Sequence, residues 1–98
     1  MSSKAILVSL LIAASQVAMA DERFNYTFTT ASSGDVRAQA ELGKMYATGE
    51  GVTQDYKQAL SWFSKAAEQG DARAQGNLGS MYYNGQGVPQ DYKQAVSW

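Results

Sequence analysis

Residues 34–62 read GDVRAQAELGKMYATGEGVTQDYKQALSW, and residues 70–98 read GDARAQGNLGSMYYNGQGVPQDYKQAVSW. Of the 29 aligned positions, 20 are identical, so the chain repeats itself with a period of 36 residues. A period in the mid-thirties is the signature of a solenoid of helix pairs, in which each unit buries its apolar face only against its neighbours. The fold expected is all-α, an α/α solenoid of helix-turn-helix units, with no strand in the repeats.

Each unit divides into two helices. The first is expected over about Val36–Thr48, with Asp35 placed as the N-cap acceptor and Gly49 as the left-handed residue that ends it. Ala38, Leu42, Met45 and Tyr46 recur at helical spacing on one face. The second helix is expected over about Tyr56–Gln69. Asp55 caps it, Gln58 stands three residues on as in a capping box, and Gly70 ends it. Tyr56, Ala59, Leu60, Phe63, Ala66 and Ala67 form its buried stripe, and Gly49–Val52 is the turn between the helices. The second unit predicts a helix over about Ala72–Asn84, a turn at Gly85–Pro89 and a helix from Tyr92. Gly43 and Gly79 fall inside helices, where glycine costs about 1 kcal/mol relative to alanine. Close approach of a neighbouring backbone is the expected offset.

The first 20 residues are of a different kind. Met1–Lys4 ends in a positive charge, Ala5–Ala14 is apolar except for Ser9, and Ala18-Met19-Ala20 precedes Asp21-Glu22. This is the three-part layout of a secretory signal peptide, with cleavage after Ala20. The apolar run is shorter than the roughly 20 residues that span a bilayer, so no stable membrane anchor is expected after cleavage. The expected compartment is periplasmic or secreted. The organisation expected is therefore 1–20 signal peptide, 21–33 an N-terminal element, 34–69 repeat 1 and 70–98 repeat 2.

Asp21–Ser33 is ambiguous. Ala31, Gly34 and Asp35 match Ala67, Gly70 and Asp71, as a degenerate second helix would. But Thr27, Thr29 and Thr30 replace better helix formers, and Phe24, Tyr26 and Phe28 alternate as in a strand. A degenerate half-repeat and a loosely docked arm both fit. At the other end, residues matching Phe63–Gln69 do not follow Trp98, so the second helix of repeat 2 reads as truncated and the chain as a fragment of a longer array.

The pattern of Ala38, Leu42-Gly43, Tyr46, Gly49-x-Gly51-Val52, Asp55, Ala59, Trp62-Phe63, Ala66-Ala67 and Gly70 strongly resembles the Sel-one-like repeat, a relative of the tetratricopeptide repeat. The match restarts at Ala74 and covers essentially all of residues 34–98. The resemblance implies a right-handed α/α solenoid whose members mostly mediate protein–protein contacts, with the first helices lining the concave surface. Some exported bacterial members are cysteine-rich and have been labelled β-lactamases or penicillin binders, and this sequence departs from them in having no cysteine.

Composition closes off much chemistry. The chain has neither cysteine nor histidine and a formal net charge of −1. Thiolate chemistry, disulfides, the commonest metal ligand and the commonest general base are all missing. A nucleic-acid partner needs a basic face that this balance does not suggest. No Ser-x-x-Lys occurs, and Ser61 and Ser64 have no histidine to activate them. Gly49-x-Gly51 and Gly85-x-Gly87 follow helices and lack the lysine of a phosphate loop. Trp62, Phe63 and Trp98 could cage a ligand, but aromatics at fixed repeat positions belong more often to a core. No catalytic, cofactor-binding or metal-binding residue is expected, and no cofactor.

A binding face can be sought by comparing the two units with each other. Six of the nine differing positions lie on the first helix: 36/72, 40/76, 41/77, 44/80, 47/83 and 48/84. At 100° per residue they fall in an arc of roughly 0–140°, while the identical Ala38, Gln39, Leu42, Gly43, Met45 and Tyr46 fall at about 180–340°. One face is held by packing and the other is free to differ, with only Arg37 among the variable positions. The candidate face for a protein or peptide partner is Arg37, Glu41, Lys44 and Thr48 from the first unit. Arg73, Asn77, Ser80, Tyr83 and Asn84 continue it in the second. The function expected is an exported scaffold or adaptor. The alternatives are a hydrolase of cell-wall or β-lactam substrates and a truncated, non-functional product.

Overall fold

The computed structural model describes residues 22–98, which form five helices and, among the described residues, no strand. Helix α1 spans residues 22–32. It is followed by α2 (Val36–Thr48), α3 (Tyr56–Glu68), α4 (Ala72–Asn84) and α5 (Tyr92–Ser97). Helices α2 and α4 keep the expected bounds, and α3 stops one residue early, with Gln69 as its cap. The expected signal peptide over residues 1–20, and Asp21, lie outside the described residues.

The helix starts are set by four aspartates at matching positions. Asp35 and Asp71 each accept one backbone N–H from three residues on, that of Ala38 and that of Ala74. Asp55 and Asp91 each accept two, from the second and third residues of the helices they open. The reciprocal half of the capping box expected at Gln58 is not made. The Asp55 N–H donates instead to the Tyr46 carbonyl at 2.8 Å, and the Asp91 N–H to the Tyr82 carbonyl at the same distance. These bonds tie the start of each second helix to the body of the first, a tertiary use of a donor that a local motif would have consumed. Gly49 and Gly85 end α2 and α4 with φ of 79° and 68°, the left-handed geometry that favours glycine.

The element over residues 22–32 is a helix, not a strand. Its threonines do not compete with the helix: the Thr27 and Thr30 hydroxyls donate to the carbonyls of Arg23 and Tyr26, four residues back, at 2.9 and 2.8 Å. Phe24 and Phe28, one turn apart, fall on one face, and their rings meet at 5.9 Å. Phe24 then packs edge-on against Tyr46 and Phe28 against Trp62, at 5.8 and 6.0 Å. Ala31 is fully buried beside Leu42 and Trp62. This helix therefore occupies the place of a second helix ahead of repeat 1.

The core runs along the stack in two overlapping parts. One joins Ala31, Leu42 and Trp62 between α1, α2 and α3. The other gathers Ala40 of α2, Ala59, Phe63, Ala66 and Ala67 of α3, and Ala74, Leu78 and Met81 of α4. Alanines at the crossings let helix axes approach, while Phe63, Leu78 and Met81 fill the space between them. Gly43 and Gly79 have different causes. A Cβ on Gly79 would stand 3.0 Å from the Ala95 carbonyl oxygen, a close backbone approach as expected. A Cβ on Gly43 would meet the ring of Phe63 at 2.7 Å, so there the demand comes from an aromatic side chain and not from backbone.

Candidate binding groove

Helices α2 and α4 lie side by side, and together with α3 between them they form a groove of about 480 Å³. Its walls are polar. Glu41, Lys44 and Thr48 stand on α2, and Arg73, Asn77 and Ser80 on α4. Each set is spaced three or four residues apart, so each is one stripe along its helix. The floor is apolar and comes from Ala40, Ala47, Tyr56, Phe63 and Met81. Gln86 of the second turn closes one end, its amide within 3.5 Å of the Tyr56 hydroxyl, which Gln54 also reaches at 3.2 Å. The same turn is pinned by Gly87, where a Cβ would stand 2.7 Å from the Tyr56 carbonyl.

Six of the nine residues singled out from the sequence thus line one groove. Arg37 lines an adjoining depression with Glu41 and Arg73. Tyr83 and Asn84 are not part of the groove wall. The Tyr83 ring rests against Tyr92 at 5.0 Å, with Gln90 bonded to the Tyr83 carbonyl and to the Tyr92 hydroxyl. Asn84 donates to Ser80 Oγ at 3.3 Å.

Variation between the units does not mark exposure at every position. Ala40 differs from its counterpart Gly76, yet Ala40 is buried in the main core while Gly76 is exposed. The cause is the neighbouring helix: α4 covers that side of α2, and none of the five described helices covers the same side of α4. Val36 is likewise packed against the core. Of the floor residues, Ala40 and Ala47 stand at positions that differ between the units, Tyr56 and Met81 belong to the identical, packed set, and Phe63 has no counterpart before the chain ends at Trp98; helical phase cannot distinguish a core residue from one that also forms a groove floor.

A second feature unseen in the sequence is a clasp repeated once per unit. Buried Gln39 donates its amide to the Ala31 carbonyl at 3.2 Å, and Gln75 donates to the Ala67 carbonyl at 3.2 Å. Each satisfies a carbonyl near the end of the preceding second helix, where intrahelical donors run out. Gln69 donates to Gln39 Oε1 at 2.8 Å, which leaves the buried amide group satisfied at both ends. Identity of Gln39 and Gln75 on the packed arc was the available signal.

The other candidates resolve structurally. Trp62 and Phe63 are buried in the two parts of the core, and Lys65 lies over the Trp62 ring at 4.4 Å. Trp98 is more exposed, at 38%, so the three aromatics form no shared cage. Ser61 is exposed, and the Ser64 hydroxyl donates to the Leu60 carbonyl at 2.7 Å. Among the described residues no cluster of acidic side chains is disposed to hold a metal ion, and no helix is long and apolar enough to cross a membrane.

A family model for the Sel1 repeat matches residues 36–71 and 72–98. Those units are shifted by two residues from 34–69 and 70–98 but have the same period. No curated protein matches the sequence. Among solved structures, the chain is similar to a Sel1 repeat protein from Oxalobacter formigenes, at 38% identity and a TM-score of 0.76 over 81% of this chain. It is also similar to c5321, a protective antigen present in uropathogenic Escherichia coli strains and displaying an SLR fold. There the identity is 49% and the TM-score 0.73 over 76% of this chain. The chain spans 32% and 16% of the lengths of those two proteins.

Proposed function

The chain belongs to the Sel1 repeat family, and on that premise we propose that it is an exported scaffold that holds a protein or peptide segment in the groove between α2 and α4. Sel1 repeats are scaffolds that generally mediate protein–protein interaction and are typically non-enzymatic. The observation that carries the groove is its composition: polar walls from both units over a floor of Ala40, Ala47, Tyr56, Phe63 and Met81. A mostly apolar concavity with a few convergent polar groups is the usual form of a binding site. Its volume of about 480 Å³ accommodates a few side chains, not a folded domain. The partner enters as an exposed segment.

Panning the purified chain against random displayed peptides tests this. Groove-dependent ligands are expected to be lost when Ala47→Trp fills the groove and kept with Gln58→Trp on the exposed side of α3. Circular dichroism should show both variants folded. Ligands indifferent to Ala47→Trp would refute the groove. Export rests on the layout of residues 1–20, and intact mass of the protein recovered from the medium or periplasm should begin at Asp21. A mass that still includes Met1 would refute cleavage.

A further inference from the structure

We infer that the groove selects acidic segments, with Lys44 and Arg73 receiving a carboxylate of the partner. The inference rests on the groove being the binding face. Lys44 comes from α2 and Arg73 from α4, so one cation stands on each wall, above the same apolar floor. Among the described residues the ion pair is Arg23 with Glu50, at 3.2 Å, and neither Lys44 nor Arg73 belongs to one. Arg37 lines the adjoining depression with Arg73, where Asp35 and Glu41 stand beside them.

This local excess occurs in a chain whose formal charge is −1. Four of the carboxylates, Asp35, Asp55, Asp71 and Asp91, accept backbone N–H groups as helix caps and do not line the groove, although Asp35 lines the adjoining depression. Glu41 is the one carboxylate on the groove wall. Nor does helix stability account for the arginines. Arg37 and Arg73 stand in the first turns of α2 and α4, where the helix dipole disfavours a cation. The Arg73 guanidinium and the Lys44 ammonium, one on each wall, can each give a carboxylate charge-assisted hydrogen bonds. Asn77 and Ser80 offer neutral donors beside them, and the floor takes an apolar side chain adjacent to the acid. An acidic segment punctuated by Leu or Phe matches both layers.

The test uses the whole 98-residue chain and three fluorescein-labelled peptide pools. All share Leu, Phe, Ser and Gly at randomised positions and carry Asp/Glu, Asn/Gln or Lys at the rest. Anisotropy titrations should show the acidic pool binding about tenfold tighter than the amide pool, with the basic pool weakest. Raising salt from about 0.15 M to about 1 M, which shortens the Debye length from about 8 Å to about 3 Å, should erase most of that preference. Lys44→Gln and Arg73→Gln should each lower the ratio of acidic-pool to amide-pool affinity, while Glu41→Gln should raise it. Lys44 and Arg73 are exposed and Glu41 is half-buried, all three on the groove wall, so these variants keep the fold. Equal binding of the three pools, lost on Ala47→Trp, would overturn acid selectivity and leave the groove intact as a binding face. Acid preference untouched by Lys44→Gln and Arg73→Gln would place the selectivity elsewhere and overturn the assignment. Binding of none of the pools would overturn both.

Discussion

Leu42 and Lys44 sit two residues apart on α2, and one is fully buried while the other is exposed. Leu42 is held by Ala31 and Trp62 from the flanking second helices, so shortening it leaves a cavity that three helices would have to close. Leu42→Ala is expected to cost about 2–5 kcal/mol, and Lys44→Ala no more than about 0.5 kcal/mol, by urea denaturation. Equal losses would mean that the helical phase is wrong. The glycines separate in the same way. At Gly76 no atom lies within 4 Å of the place a Cβ would take, whereas at Gly43 that place is 2.7 Å from the Phe63 ring. Gly76→Ala should therefore raise stability by about 1 kcal/mol through helix propensity alone. Gly43→Ala should lower it, because the ring is wedged in the core and must shift. Thermal melts of the two variants moving in the same direction would contradict this.

At the scale of elements, the caps carry the boundaries. Asp55 accepts two N–H groups of α3, the helix that packs on both α2 and α4. Asp55→Ala should cost about 0.5–2 kcal/mol, and Asp55→Asn, which keeps an acceptor oxygen, distinctly less. Equal losses for the two, read from the same denaturation curves, would point to charge instead of the hydrogen bonds. Helix α1 shows where element-level inference from sequence fails. Phe24 and Phe28 satisfy an alternating pattern and an i, i+4 pattern together, and three threonines tilt the local balance toward strand. What decides is the surface against which they pack: Tyr46 and Trp62 receive the two rings, and the threonine hydroxyls bond back within the helix. Packing outweighs propensity differences that amount to about 0.7 kcal/mol per residue at most.

Across the whole molecule, burial is uneven along the stack. Helix α3 has five buried residues, with neighbours on both sides, and α5 has none. Tyr92 and Val96 of α5 are 56% and 86% exposed. Local opening is easiest where few apolar contacts resist it. Amide exchange should be slowest in the later turns of α3 and fast from Gly85 onward, while α1 should show intermediate protection through Ala31. Uniform protection to Trp98 in a monomer would show that the final hairpin is held by more than its contacts with α4.

The repeat, its period, the helix bounds and the four aspartate caps were legible in the sequence alone, because each depends on residues within one or two turns of each other or on simple self-similarity. Symmetry between the two units also separated a packed arc from a variable one. Other features wait on the stacking of helices. That Ala40 is covered while Gly76 is not depends on which neighbour lies alongside, as does the crowding of Gly43 by a phenylalanine ring instead of backbone and the reach of Gln39 to the end of the preceding helix. The groove belongs to the same class. Its walls come from two different repeats and its floor from all three helices α2, α3 and α4, so it exists only once the stack has brought Lys44, Phe63 and Arg73 to one place.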